Sequence, residues 1–255
     1  MTKGVLKDTP AGRVLRCRYE IKYLISESKA AAIAQFIRPY VRSDHYCKLQ
    51  PNGSYPVASL YLDSESLQLC RQSMEGQKNR FKLRIRSYTD ELDYPHFFEI
   101  KRRLNAIIIK SRARVMPADV APLISGMLGL PQGNGTERQT LGQFLLYAAG
   151  INARPVVRTR YQRQAFEDIL DDTVRVTFDR NISYSVTSNL DVGLNGEGWH
   201  RLPLTLNSIV LEIKFTDRYP AWLGRMVKYF VLRQQSVSKY VHSIKRASLV
   251  GLLLA

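Results

Sequence analysis

Lys82, Arg84 and Arg86 stand at alternate positions of FKLRIRSY (81–88). Two unit charges about 6 Å apart repel by roughly 3 kcal/mol at an effective dielectric of about 20, so such a row asks for an anion. The spacing recurs along the chain. Polar positions alternate as Arg18, Glu20, Lys22; then Glu99, Lys101, Arg103; then Lys110, Arg112, Arg114. Tyr161 and Arg163 follow, then Arg175, Thr177, Asp179, then Glu212 and Lys214. Arginine suits phosphate because its planar fork binds two oxygens at once. The carboxylates among these cations, Glu20, Glu99, Asp179 and Glu212, admit two readings. Each pairs with a neighbouring cation, or one or two of them hold Mg²⁺ or Mn²⁺, hard ions that bridge carboxylate and phosphate oxygens.

A period of two is that of a β-strand, whose successive side chains face opposite ways. The intervening residues are apolar: Leu83 and Ile85, Phe98 and Ile100, Ile107 and Ile109, Val174, Val176 and Phe178, Leu211, Ile213 and Phe215. Strands are therefore expected at 15–25, 57–64, 81–88, 95–104, 106–115, 154–166, 173–186 and 208–215. Asn105 turns a hairpin. A helix follows Ser26 as its N-cap and stops near Pro39; a short one is capped by Asp63 or Ser64 and ends at Gly76. Residues 42–55 read as an irregular loop, and DVGLNGEGWH (191–200) as another. A helical insertion falls at about 117–150, and C-terminal helices at about 219–250, the first of them running through 219–235. Like charges opposite one another on neighbouring strands destabilise a sheet. A closed or strongly curved sheet resolves the conflict, with the charged faces lining an interior and the apolar faces under helices. One α+β domain over residues 1–255, an antiparallel β-barrel with helices packed outside, is the expected architecture.

The chain has 255 residues, with 38 Lys+Arg against 22 Asp+Glu, a formal charge of +16. That excess implies a polyanionic partner: nucleic acid, an anionic membrane surface or a phosphate-rich small molecule. No RRM-like, KH-like or helix-turn-helix signature is present, and strand-centre carboxylates suit a nucleic-acid backbone poorly, so no nucleic acid is expected. Cys17, Cys47 and Cys70 lack CxxC spacing, and with four histidines they make a zinc site an unfavourable reading. Reduced thiols in a cytoplasmic protein are expected. The first residues lack the apolar run of a signal peptide, and no stretch reaches the length of a membrane span. The apolar tail 249–255 reads as a docked or frayed helix end.

The ordered segments RYEIKY, SLYLDS, FKLRIRSY, FFEIKRR, IIIKSRARV, RTRYQRQAF, VRVTFDRNI, VLEIKF and SKYVHS resemble the vacuolar transporter chaperone (VTC) domain. That domain is the polyphosphate polymerase branch of the triphosphate tunnel metalloenzyme (CYTH-like) superfamily. The resemblance covers about residues 13–247. It implies a β-barrel tunnel with basic walls and transfer of the terminal phosphate of ATP onto a growing polyphosphate chain, with a divalent metal, Mn²⁺ or Mg²⁺. Carried over by position, Lys22, Arg84, Arg86, Lys101 and Arg163 are the catalytic cations. Ser238 and Lys239 form a pair closing on the phosphates from the last helix, with Lys239 in a catalytic role. Helix N-termini favour anions in any case, which speaks independently for Ser238. Lys110 and Arg175 bind phosphate, joined by Lys82 and Arg112 from the same faces, and Tyr161 is a tunnel-wall hydroxyl. Glu212 is the implied metal ligand and Glu20 a second.

Hydrolytic members of the superfamily carry Glu-x-Glu-x-Lys on the first strand. Here that site reads Arg18-Tyr19-Glu20-Ile21-Lys22. The exchange weakens a second metal site, strengthens the hold on phosphate and argues against a thiamine triphosphatase or adenylate cyclase. The family also contains accessory subunits, so a catalytically silent sensor of polyphosphate or triphosphate is the alternative, ahead of a tripolyphosphate hydrolase. ATP and polyphosphate are the implied partners. A separate membrane protein is a further one, which would place a cytoplasmic chain at the inner face of a membrane.

Overall fold

The computed structural model describes residues 18–105, 107–131, 135–169, 173–204, 208–216 and 219–252. The chain order is β1 (Arg18–Ile25), α1 (Glu27–Ile37), β2 (Val41–Ser43), α2 (His45–Lys48), β3 (Tyr55–Asp63), α3 (Gln68–Met74), β4 (Asn79–Ser87), β5 (His96–Leu104) and β6 (Ile107–Val115). After α4 (Pro117–Ile124) and α5 (Thr136–Gly150) come β7 (Arg154–Asp168), β8 (Val174–Val186), β9 (His200–Arg201), β10 (Ile209–Thr216), α6 (Ala221–Tyr229) and α7 (Lys239–Leu249). No described helix is long and apolar enough to cross a membrane.

All described strand pairings are antiparallel, in the order β2-β7-β3-β4-β5-β6-β1-β10-β8-β9. A further β7–β8 ladder, from Val157↔Val186 to Glu167↔Arg175, bends the sheet round on itself. The thinnest seam lies between β1 and β6, joined by the single described pair Arg18↔Ile108. The result is a strongly curved, tunnel-like barrel with a polar interior.

The apolar faces point outward and meet helices. Val176, Phe178, Leu211 and Ile213 pack under α1 and α6 with Ile33, Ile37, Trp222 and Leu223. Leu83, Ile85, Phe98 and Ile100 pack under α3, α4 and α5 with Leu69, Leu123, Leu141 and Phe144. The last helix departs from the expected packing outside the barrel: Val57 and Val157, directly opposite the cavity-lining Tyr161 and Tyr61 and so on the inner face, join Tyr240 and Ile244, so α7 packs against the inner side of the curved sheet. Each such side chain contributes about 1.5–3 kcal/mol on full burial, so the outer face supplies the stability that the charged inner face does not.

Local signals mark the joints. Ser26 accepts from the Lys29 amide and caps α1. Asp63 accepts from the amides of Ser64, Leu69 and Cys70, while Ser64 Oγ accepts from Gln68, so both candidate caps serve α3. Asn105 turns the β5–β6 hairpin at φ +54°, a conformation asparagine tolerates.

Three expectations about element bounds need correction. Residues 42–55 are not a plain loop: Asp44 caps the short α2 through the Cys47 amide, and β2 pairs with the end of β7, which extends to Asp168. The helix expected over 219–235 stops at Tyr229, where Val231 turns to φ +49°, and the following chain runs beside β1 with Gln235 donating to the Lys22 carbonyl. The end of 191–200 joins the sheet as β9, opposite Ser183 and Tyr184. The last residues of the tail, 253–255, and the start of the first strand, 15–17, lie outside the described residues.

Candidate functional site

The curved sheet encloses a cavity of about 2040 Å³. Every residue singled out from the sequence as catalytic, substrate-binding or metal-binding contributes to its lining. Two cations from the same alternating faces stand apart. Arg103, at the end of β5, donates to the Asn105 carbonyl, and Arg114, near the end of β6, pairs with Glu137 of α5.

Glu99 forms the first cluster. Register sets it directly between Arg84 of β4 and Arg112 of β6. Arg84 Nε lies 2.7 Å from Oε2 and Arg112 Nε 2.8 Å from Oε1. Lys110 Nζ reaches Oε1 at 2.7 Å, and Arg86 stands 3.8 Å from Oε2. Burial alone would raise the Glu99 carboxyl. The four cations outweigh it and hold the group well below the usual carboxylate range. One carboxylate thus anchors four cations, three of them arginines whose charge persists on burial.

Glu20 and Glu212 form the second. Lys22 sits opposite Glu212, and Glu20 opposite Lys214, across the β1–β10 ladder. Lys22 Nζ is 2.9 Å from Glu20 and 3.6 Å from Glu212. Lys101 reaches Glu20 at 2.8 Å and Lys214 reaches Glu212 at 2.5 Å. Burial raises both carboxyls, and for Glu20 the neighbouring Glu212 adds to this, but the lysines lower both overall. Burial pushes the Lys101 amine down to about 8, against the pull of Glu20.

Asp179 holds a third. Arg163 grips it bidentately, Nε to Oδ1 at 2.7 Å and Nη2 to Oδ2 at 2.8 Å. Lys239, at the start of α7, reaches Oδ2 at 2.5 Å. The Tyr161 ring lies beneath both cations, 4.4 Å from Lys239 Nζ and 5.2 Å from the Arg163 guanidinium. Burial raises the Asp179 carboxyl, but Arg163 and Lys239 bring it down to about 2. Ser238 caps α7 and accepts from Lys82 at 2.8 Å. Arg175 is turned toward Asp44, Tyr55 and Glu167 rather than left open.

Two groups escaped the pattern reading. Tyr46, Tyr55, Tyr88, Tyr94 and Phe97 gather at the wall, with Arg112 4.4 Å over the Phe97 ring. Arg160 lines the cavity and stacks 4.4 Å from Trp199 of the β8–β9 connection. These aromatic residues come largely from loops and strand ends, where no period exists to read. The only hint was the abundance of tyrosine, 14 in the chain.

The donor set bears on a metal. Among the described residues no group of three or more His, Cys, Asp or Glu side chains could hold one. Glu20 and Glu212 are two hard oxygen donors in a cavity of cations. Such a pair fits a divalent ion shared with phosphate oxygens and water, as Mg²⁺ commonly is, rather than one caged by protein alone.

The sequence model of the VTC domain matches residues 17–248. No curated protein matches the chain in sequence. Among solved structures, a candidate adenylate cyclase from Bacillus halodurans is similar at 13% identity, with 88% of this chain and 94% of that one covered and a TM-score of 0.48. A protein from Pyrococcus horikoshii OT3 is similar at 9% identity over 90% of this chain and 98% of that one, with a TM-score of 0.45.

Proposed function

The chain belongs to the VTC domain family, and from that premise we propose that it is a metal-dependent phosphotransferase that moves the terminal phosphate of ATP onto a polyphosphate chain inside the basic cavity. The observation that carries the reading is the Glu99 cluster, four cations around one buried carboxylate facing a cavity of about 2040 Å³. Phosphoryl transfer asks little covalent chemistry of a protein; it asks for alignment and for neutralisation of charge on the equatorial oxygens.

In this reading Arg84, Arg86, Lys110 and Arg112 hold phosphate oxygens along one wall. Lys22 and Lys101 hold them along another, with Lys82, Arg163, Ser238 and Lys239 beside the start of α7. The terminal phosphate of the acceptor chain is already an anion near neutral pH, so no general base is required. Glu20 and Glu212 would hold the divalent metal, Mn²⁺ or Mg²⁺, which supplies positive charge shared between phosphate oxygens. Asp179 holds Arg163 and Lys239 in place beside the Tyr161 ring.

Purified protein incubated with ATP and Mn²⁺ is expected to make polyphosphate. Arg84→Ala should abolish synthesis while its thermal unfolding stays cooperative; a fully active variant would sink the assignment of that wall. One observation favours a second reading, a binding subunit without turnover. Lysines already engage both Glu20 and Glu212, so a metal must displace them. Tight triphosphate binding with no polyphosphate product would select that reading.

A further inference from the structure

Among the described residues, one lysine in the wall, Lys82, has no counter-ion. Lys82, Lys101 and Lys110 stand directly opposite one another on β4, β5 and β6, three like charges in a row across the sheet. Lys101 is satisfied by Glu20 and Lys110 by Glu99. Lys82 has only a hydroxyl, Ser238 Oγ at 2.8 Å, and the Tyr240 ring 6.0 Å away. Among the described residues no carboxylate pairs with it, whereas Lys22, Lys101, Lys110, Lys214 and Lys239 all have one.

Its surroundings point the same way. Arg80 shares its strand, Lys101 faces it from β5 and Lys22 from β1. Cys70 of α3 is the neighbour that favours its charge, and burial holds that thiol protonated near neutral pH. From α7 come Tyr240 and His242; burial, together with Lys245 and Lys82, disfavours the charged ring of His242. Burial, then Lys101, Lys22 and Arg80, bring the Lys82 amine down to about 7. Ser238 Oγ accepts from both Lys82 and the Val241 amide, which leaves its own proton to donate.

We propose that when a phosphate oxygen fills the corner of the cavity between Lys82 and Ser238, one proton is drawn from solvent onto the Lys82 amine. The proposal rests on the polyanion-binding reading given above. Its physical basis is linkage. An anion beside the amine stabilises the ammonium form, so its proton affinity rises on binding. Above about pH 7 the Lys82 amine of the empty site is mostly neutral, and occupancy must import the proton. Below that pH the amine is already charged and nothing need be imported. Triphosphate affinity therefore falls as pH rises through this window, with a slope contributed by Lys82 of up to about one proton per ligand.

Lys82→Arg separates charge from titration, since a guanidinium stays charged throughout. Inorganic triphosphate is titrated calorimetrically into wild type and variant in buffers of different ionisation enthalpy. The ligand contributes alike to both, so the difference reports Lys82 together with the response of Lys101 and Lys22 to its charge. At about pH 8.5 wild type should take up about one proton more than Lys82→Arg, and at about pH 6.5 the difference should shrink to a small fraction. Lys82→Met is the second variant: it should weaken binding about tenfold at the lower pH, with the gap to wild type narrowing as pH rises. Equal proton uptake in wild type and Lys82→Arg, or a gap for Lys82→Met that does not change with pH, would overturn the proposal while leaving the cavity a polyanion site. Failure of wild type to bind triphosphate at either pH would instead overturn the reading on which it rests.

Discussion

The Glu99 cluster and the Glu20–Glu212 pair line one cavity and solve the same electrostatic problem in opposite ways. Around Glu99 the cations are chiefly arginines, whose guanidinium forks remain charged whatever surrounds them. One fully buried carboxylate orients them, and most of their charge is left for a ligand. Around Glu20 and Glu212 the cations are lysines in near balance with the carboxylates. Lysine amines respond to burial, as Lys101 shows at about 8. A wall that must hold phosphate at all times calls for arginine. A wall that must exchange partners, amine for metal or phosphate, is better served by lysine and carboxylate.

The comparison can be broken most forcefully by removing one carboxylate from each side. Glu212→Gln should lower metal-dependent polyphosphate synthesis by about a hundredfold or more while metal-free triphosphate binding is kept or strengthened. Steady-state assays with and without Mn²⁺, beside equilibrium binding, read both quantities; equal loss of both would erase the distinction between the walls.

Glu99→Gln should act on stability instead. Taking Glu99 from among its four cations removes their shared counter-ion among the described residues, a cost of about 3–5 kcal/mol. Denaturant unfolding should show that loss, and triphosphate should restore much of it by occupying the vacated role. A variant as stable as wild type would show that Glu99 is not the anchor of its cluster.

Acid offers a gentler probe of the neighbouring Asp179. Its carboxyl lies at about 2 in the folded chain, against an unfolded value of about 4. The folded form is the poorer proton binder, so the contribution is fully present above about pH 4 and lost as pH falls toward about 2. Unfolding midpoints measured across that interval should drop for wild type, and drop less for Asp179→Asn.

The smallest effect is expected at Lys214. Its amine competes for Glu212 at 2.5 Å. Lys214→Met should free that oxygen and raise Mn²⁺ affinity a few-fold, roughly the scale of one partly exposed ion pair. Weaker metal binding in this variant would mean that Lys214 supports Glu212 rather than rivals it.

Much of this arrangement is legible in the sequence. The alternation in FKLRIRSY assigned Arg84 and Arg86 to one face and Leu83 and Ile85 to the other, and the fold keeps that division. Ser26 and Asn105 announced a cap and a turn for local reasons. The residues around Tyr46, in the four-residue α2, and around Trp199 were not legible, because segments so short or irregular carry no period. Arg114 read as an inner cation, yet it sits near a strand end where Glu137 of α5 draws it away.

What the sequence determined by itself is which side chains share a face, since a strand's period of two is a property of a few consecutive residues. Only the tertiary structure decided which faces meet. That Glu212 lies opposite Lys22, that Glu99 falls between Arg84 and Arg112, and that α7 brings Lys239 to Asp179 all depend on register and on the β7–β8 ladder. Those pairings join residues far apart in the chain. Their geometry is fixed by burial of apolar faces under helices, outside the sheet for most of them and inside it for α7, a condition that no single segment contains.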